Sequence, residues 1–521
     1  MKNVSIDRQR AMERRDFDYY EARARGVILA GITSCYENAE ILRRLRDQDT
    51  SLDAIRITDE ADEVRDFIVE EGDHLGWLGY FIGKSKYLKD LDFYSPEQLF
   101  INSWGEGQNI EAFMEGINHN QSITRLSIDA DLGDVNFQSL SPFFRNNNNL
   151  AEVEFSNFEL GLECAQSIAL TLGTRRCQSL KVLRIEGCNL SDGGFAVIAT
   201  ALRAYPQLRE LHLENNNIGL MRCIALGETL RGWCTSNLKT LDLDNNAIDD
   251  QGLQALAAGL TNSTLEELFL SGNLITGVGL RSFSTYFQSV SCCLKTLNLY
   301  GINFGDEGAM ALAEGLMGNK FLKSLNFNPD HSGITDVGWA AFSKLVCDPS
   351  SINSTYHSNH NIRTIGHNSS PLDIRQYLGL NGCPHPAIHK ILKSHPDIDM
   401  EPFFQWKLKL LPVVTSWFGS CRSRIYLGES IHRQSLQNRE LSAFYKFVRG
   451  MPSLTVISYW QQFVMNAPAE RRRVDDERRR LEDKRRRLYY DEEAAWERLG
   501  GRPRREGSSN LVSGTKRRRQ V

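Results

Sequence analysis

Six of the eleven histidines fall between His357 and His395, among them His357-x-x-His360 and Cys383-Pro-His385-x-x-x-His389. Imidazole and thiolate are ligands that zinc takes, and a structural zinc site needs about four of them. Paired Cys-x-x-Cys spacing is absent and prolines punctuate the segment, so these side chains read as surface-loop histidines. Gly83-Lys84-Ser85 matches the end of a phosphate-cradling loop, but the glycine required five residues earlier is Leu78. No Gly-x-Ser-x-Gly element offers a nucleophile at a strand–turn–helix junction. No pair stands out for acid–base work among 65 Asp and Glu residues. These readings predict a chain that is not an enzyme, with no catalytic, cofactor or metal-ligating residue to assign.

What remains is charge, and it is unevenly placed. The 521 residues carry a formal −4, yet Ala469 to Val521 holds 18 bases and 11 acids, so the body before it sums to −11. Segregated charge of opposite sign predicts two interaction surfaces, or one surface and its own internal ligand. No run approaches the ~20 apolar residues of a membrane-spanning helix, and the N-terminus has no apolar core of a secretory signal. Eleven cysteines in that setting read as reduced thiols, and the expected location is cytoplasmic or nuclear.

The elements that position these charges follow from self-similarity. Leu208-x-x-Leu211-x-Leu213-x-x-Asn216-x-Ile218 recurs from Leu238 and from Leu265, with weaker copies from Leu150, Leu180, Leu294, Leu322 and Ile362. Degenerate copies begin at Leu52, Leu88 and Ile123, and spacings from Ile123 to Leu322 run 27, 30, 28, 30, 27, 29 and 28. Eleven strands are expected. After each strand comes Ser191, Gly219, Asp249, Thr276, Gly305 or Thr335, residue types that suit a helix N-cap. Apolar residues then recur at helical spacing, as in Phe195, Ile198 and Leu202 or Leu253, Leu256 and Leu260. One strand and one helix per unit cannot bury a core alone; stacked units can.

This pattern resembles the ribonuclease-inhibitor class of leucine-rich repeats over roughly residues 50 to 375. The resemblance implies an α/β leucine-rich-repeat solenoid, a horseshoe with parallel strands on its concave face and helices on its convex face. It also implies protein binding on the concave face. Ser394 to Pro412, with Phe444 to Leu454, resembles the extension on leucine-rich-repeat proteins expanded in diatoms. Neither resemblance supplies a catalytic residue.

Residues 1–49 are expected to form an N-terminal helical cap, with Cys35 to Arg46 covering the first strand; residues 50–375 form the solenoid. Phe342 to Asn361, polar and lengthening one spacing to 40, reads as a surface insertion. Residues 376–467 read as a C-terminal helical cap with Trp406, Leu410, Trp417, Phe418, Phe444, Phe447 and Trp460 in its core. Residues 468–521 read as a charged helix and a disordered basic tail. Val474, Leu481 and Leu488 recur every seven residues, which is one apolar stripe where a coiled coil needs two, so a solvated single helix is the favoured form.

The concave face takes the residues two, four and six positions into each repeat. Eleven of those 33 are acids: Asp90, Asp92, Asp129, Glu152, Glu154, Glu186, Glu210, Glu214, Asp242, Asp244 and Glu267. Arg56, Arg125 and Arg184 are the bases there, so the face sums to −8. Tyr94, Phe269 and Tyr300 share it as aromatic anchors. A basic protein partner would relieve the repulsion among these acids; an interior kept polar for solubility is the alternative. In the tail, Arg504-Arg505 and Lys516, Arg517, Arg518 and Arg519 match a bipartite nuclear-import pattern, or else a solvated charge run. The same tail is a candidate ligand for the acidic face by intramolecular docking. Two other readings stay open. Ran-type GTPase-activating proteins share this repeat class, although their tails are acidic and no catalytic arginine can be assigned here. Nucleic-acid binding through residues 471 to 519 is disfavoured by the mixed charge signs there.

Overall fold

The computed structural model describes residues 16–395, apart from 60–64, 70–73, 96–107, 131–139, 174–178, 204, 206, 233–236, 262, 290 and 367–369. Two compact units divide the chain, residues Met1–His395 and Pro396–Val521; the described residues all belong to the first. The expected helical core from Trp406 to Trp460, the charged helix and the import-like residues Arg504, Arg505 and Lys516 to Arg519 lie outside them.

Twelve parallel strands run through the described residues: β1 (Ala54–Thr58), β2 (Asp66–Ile68), β3 (Asp90–Tyr94), β4 (Arg125–Asp129), β5 (Glu152–Ser156) and β6 (Val182–Glu186). They continue with β7 (Glu210–His212), β8 (Thr240–Asp242), β9 (Glu267–Phe269), β10 (Thr296–Asn298), β11 (Ser324–Asn326) and β12 (Thr364–Ile365). Their order in one sheet is β12 to β3 in unbroken descending sequence, then β1 and β2. A helix follows nearly every strand, which makes the unit an α/β leucine-rich-repeat solenoid.

The repeat signature explains the register. Successive strand residues point to opposite faces, so the fourth and sixth residues of a repeat turn inward together; the first precedes the strand and is buried as well. Leu208, Leu211 and Leu213 are buried, as are Leu238, Leu241 and Leu243. The signature asparagines are buried too, and they bridge neighbouring repeats. Asn246 accepts from the amides of Asn216 (3.0 Å) and Ile218 (2.9 Å) and donates to the Leu213 carbonyl (2.9 Å). Such bonds satisfy backbone groups that the short strands leave unpaired. A second asparagine, three residues before the repeat start, does similar work. Asn147 accepts from Asn149 and Leu150 amides and donates to the Ile123 carbonyl (3.1 Å).

Helix starts match the capping chemistry where a side chain can supply it. Asp249 accepts from Gly252 N (2.7 Å), Ser191 from Gly194 N (3.1 Å), and Thr276 and Thr335 from the amides two residues on. Gly305 differs: it has φ +59° and is the first residue of the helix Gly305–Leu316, whose cap residue Phe304 makes no side-chain bond. Near the N-terminal end, Gly79 and Gly116 bring helices His74–Lys84 and Gln108–Asn118 into backbone contact. A methyl group on Gly79 would overlap the main chain of Phe113, and one on Gly116 the main chain of Gly79.

Both ends depart from expectation. The helix Tyr36–Arg46 does not cap β1; it caps β2, an extra edge strand ten residues further along. Asn38 donates to the Ile68 carbonyl (2.7 Å) and accepts from the Ile68 amide (2.8 Å), so a side chain takes the place of the next strand. Three residues carry too little pattern for β2 to be read from the sequence. At the other end, the polar insertion is packed rather than superficial. It contains the helix Ile352–His357, and Asn359 is buried, donating to the Leu316 and Asn319 carbonyls. Lys390 is fully buried, with Nζ donating to the carbonyls of Val346 (2.6 Å) and Asn359 (2.7 Å). Burial among neutral acceptors pulls its ammonium down to about 7. His389 is likewise buried and His360 half-buried, which corrects the surface-loop reading for those two; His357 is exposed. Among the described residues no three His, Cys, Asp or Glu side chains are grouped to hold a metal ion.

Candidate binding face

Strand pairing sets the open-face residues in lateral rows. Asp90, Arg125, Glu152, Val182, Glu210, Thr240 and Glu267 are successive partners in one row. Asp92, Ser127, Glu154, Arg184, His212, Asp242 and Phe269 form the next. Tyr94 pairs with Asp129 in a third, and Glu186, Glu214, Asp244 and Tyr300 occupy its later repeats. Eleven of the fourteen residues singled out lie in strands of one continuous sheet; Glu214, Asp244 and Tyr300 follow two residues after the ends of β7, β8 and β10.

They do not share one environment. Arg56 pairs with Asp92 (3.1 Å) and lies 5.4 Å from the Tyr94 ring centroid. Arg125 sits among Asp90 (3.3 Å), Glu152 (3.6 Å) and Glu154 (2.9 Å). Arg184 reaches Glu152 (3.3 Å), Glu186 (3.8 Å) and Glu210 (4.0 Å). Asp129 accepts from the Asn157 side-chain amide (3.0 Å). These three arginines all belong to β1–β6.

From β7 to β9 no arginine or lysine pairs with the open-face acids Glu214, Asp242, Asp244 and Glu267 among the described residues. His212 lies between Glu210 (3.6 Å) and Asp242 (3.5 Å), a contact that a list of acids and arginines overlooks. Asp244 accepts from the Ser271 amide (2.5 Å), and Glu214 from the Asn245 side-chain amide (2.9 Å). Burial pushes the Asp244 carboxyl up to about 6, and the charges of Asp242 and Glu214 push the same way. Glu186 is also raised, by burial and then by Glu154. In the arginine-laced half, burial raises Asp90 and Asp129, with Arg125 opposing the shift at Asp90.

Beyond this acidic stretch, the open face of β10 and β11 carries Thr296, Asn298, Ser324 and Asn326, none of them charged. Tyr300 stands at that border, 50% exposed; Phe269 is half-buried beside Asp242. A carboxylate patch bounded by two aromatics can accept cationic side chains and stack against them.

A family model described as Leucine Rich repeat matches residues 176–199, 236–257, 261–284 and 290–313. The ribonuclease inhibitor of Sus scrofa is 32% identical over 197 residues, covering 32% of this chain and 43% of that protein. The NACHT, LRR and PYD domains-containing protein 5 of Mus musculus is 30% identical over 173 residues, covering 32% of this chain and 15% of that protein. The chain thus spans less than half the length of these relatives. A chain of the Rad7 and Elc1 complex of yeast is 17% identical, with a TM-score of 0.36, covering 65% of this chain and 81% of its own. An internalin of Listeria monocytogenes is 13% identical, with a TM-score of 0.30, covering 60% and 94%. No helix among the described residues is long and apolar enough to cross a membrane.

Proposed function

We propose that this chain, whose repeats are similar to those of ribonuclease-inhibitor-like leucine-rich-repeat proteins, is a protein-binding repeat module that takes a basic protein surface on the open face of β7–β10. The observation that carries this reading is the absence of any paired arginine or lysine at Glu214, Asp242, Asp244 and Glu267 among the described residues, beside three arginines in the preceding repeats. Like charges held together on a rigid sheet repel, and a cationic partner gains by removing that repulsion. The parallel ladder fixes these side chains before binding, so little ordering cost is left to the encounter. Phe269 and Tyr300 supply apolar area beside the charge.

The test is binding of a fluorescent arginine- and lysine-rich peptide to the full chain and to the triple reversal Glu214→Lys, Asp242→Lys and Asp244→Lys. Loss of binding with an unchanged urea unfolding midpoint supports the reading. Equal binding by both proteins sinks it and directs attention away from the open face. Small GTPase regulation and nucleic-acid binding through the C-terminal tail are the alternatives; stimulated GTP hydrolysis across a panel of small GTPases would reveal the first, and loss of RNA or DNA retention on deleting the tail the second.

A further inference from the structure

One residue precedes the open-face series at the start of every strand, and from β6 onward it is almost always a base. Lys181, Arg209, Lys239, Glu266, Lys295, Lys323 and Arg363 occupy this position in seven consecutive repeats. They are true lateral neighbours. The Arg209 amide donates to the Lys181 carbonyl (2.8 Å), Lys239 to Arg209 (2.7 Å), and Glu266 to Lys239 (2.8 Å). The chain of bonds continues from Lys295 to Glu266 (2.6 Å), Lys323 to Lys295 (2.8 Å) and Arg363 to Lys323 (2.7 Å). Six bases and one acid therefore stand in single file along the rim where the strands begin. Lys181, Arg209, Lys323 and Arg363 are exposed, and none has an ion-pair partner among the described residues.

The exception in the row displays what the row can hold. The Glu266 carboxylate is bridged by Lys239 (2.9 Å) and Lys295, which reach it from the repeats on either side. Hydrogen bonds from those two ammonium groups keep its carboxyl below the ordinary range. A carboxylate thus seats between cations contributed by flanking strands. Elsewhere in the row no carboxylate is so seated among the described residues.

We propose that this rim is a second docking surface, taking an extended acidic segment of a protein whose carboxylates step from repeat to repeat. Adjacent strands lie ~4.8 Å apart, so six steps from Lys181 to Arg363 span about 29 Å. An extended peptide of about nine residues covers that length. The row is one side chain wide, and the acids of the open face begin one residue later, at Glu210 and Glu267. A narrow chain lies along the bases and avoids those acids. A nucleic-acid duplex, whose grooves alone are ~6 to ~12 Å wide, would extend its phosphates over them. This surface is distinct from the acidic face, and its test does not depend on what that face binds.

The probe is a fluorescent peptide of alternating Asp and Glu, titrated into the full chain at low and moderate salt. The variant is Arg209→Glu, Lys323→Glu and Arg363→Glu together, and oligothymidylate of matched length is the competitor. The expected result is saturable binding that weakens at least about tenfold in the variant, where like charge now faces like. Far-UV circular dichroism and a urea midpoint check that the variant is folded. Should the reversal unfold, the neutral variant Arg209→Gln, Lys323→Gln and Arg363→Gln replaces it, with a loss of several-fold expected. Binding left unchanged by a folded variant would overturn the proposal, since the peptide would then be held elsewhere, for instance by cations of the tail. No binding even at low salt would overturn it as well. Oligothymidylate that binds more tightly than the peptide, with the same loss in the variant, would replace the acidic protein segment with a nucleic acid.

Discussion

Between β1 and β6 each arginine of the open face lies among carboxylates, whereas Glu214, Asp242, Asp244 and Glu267, from the repeats of β7 to β9, meet one histidine and neutral donors and pair with no arginine or lysine among the described residues. The two regions are built from the same repeat and carry similar numbers of acids. Their difference is who neutralises whom. In the first region Arg125 and Arg184 tie consecutive strands together, so the acids there serve the sheet. In the second, mutual repulsion and burial are left standing, at a visible cost to Asp244. Charge on a protein face is informative about partners only after its internal pairs have been subtracted.

That contrast can be broken in both regions, and the largest effect should come from the unlaced one. Reversing Glu214, Asp242 and Asp244 to Lys should weaken a basic peptide about 100-fold, because attraction becomes repulsion at three adjacent sites. Reversing Asp90, Glu152 and Glu154 instead should lower stability more than binding; anisotropy and urea titrations on both variants read the two effects separately.

Removing one arginine probes the laced half. Arg125→Ala leaves Asp90, Glu152 and Glu154 facing one another and should destabilise by about 1–3 kcal/mol at neutral pH. The loss should shrink as pH falls toward 4 and those acids take up protons; a pH series of urea midpoints that stayed flat would contradict the network.

Binding should also sense pH through Asp244. A carboxyl near 6 is mostly charged at pH 7.5 and mostly neutral at pH 5. A cationic ligand favours the charged form, so peptide affinity should fall several-fold between those values and binding at pH 6 should release protons. Isothermal titration in buffers of different ionisation enthalpy measures that uptake or release directly.

Asp244→Asn is the gentlest of these changes and carries the opposite sign from Arg125→Ala. The folded-state carboxyl is raised, so the native protein binds more protons than the unfolded chain between about 4 and 6. Stability contributed by that proton is present at low pH and lost as pH rises through 6. The asparagine variant should therefore match the wild type near pH 4 and be modestly more stable at pH 8, since its amide oxygen still accepts from Ser271. Equal stability at both pH values would mean that Asp244 is not strained by its neighbours.

Much of this architecture is legible in the residues. Leu208, Leu211 and Leu213, with Asn216 and Ile218, announce a strand and its turn, and the eleven repeat starts each lead into a strand. Capping residues such as Asp249 and Thr276 were equally readable, because side-chain capping is a local event. β2 was not, since three residues held by Asn38 from a helix 30 positions earlier leave no periodic trace. The asparagines three residues before the strands could have been found by extending the repeat backward from Leu150 or Leu322. The basic rim was equally present in the letters after each repeat start, one position before the first outward residue of the open face.

The sequence by itself determined the period, the inward and outward alternation, and hence which side chains share the open face. A strand of period two inside a fixed repeat permits no other arrangement of those leucines. Tertiary structure alone decided which charges meet. Arg125 is 35 residues from Asp90 and 29 from Glu154, and only the lateral register of three strands places it between them. The same is true of Lys390, an ordinary surface residue type that is buried with its ammonium on the carbonyls of Val346 and Asn359, residues 44 and 31 positions away. Contacts within a repeat follow from local order. Contacts between repeats follow from stacking, which no single repeat contains.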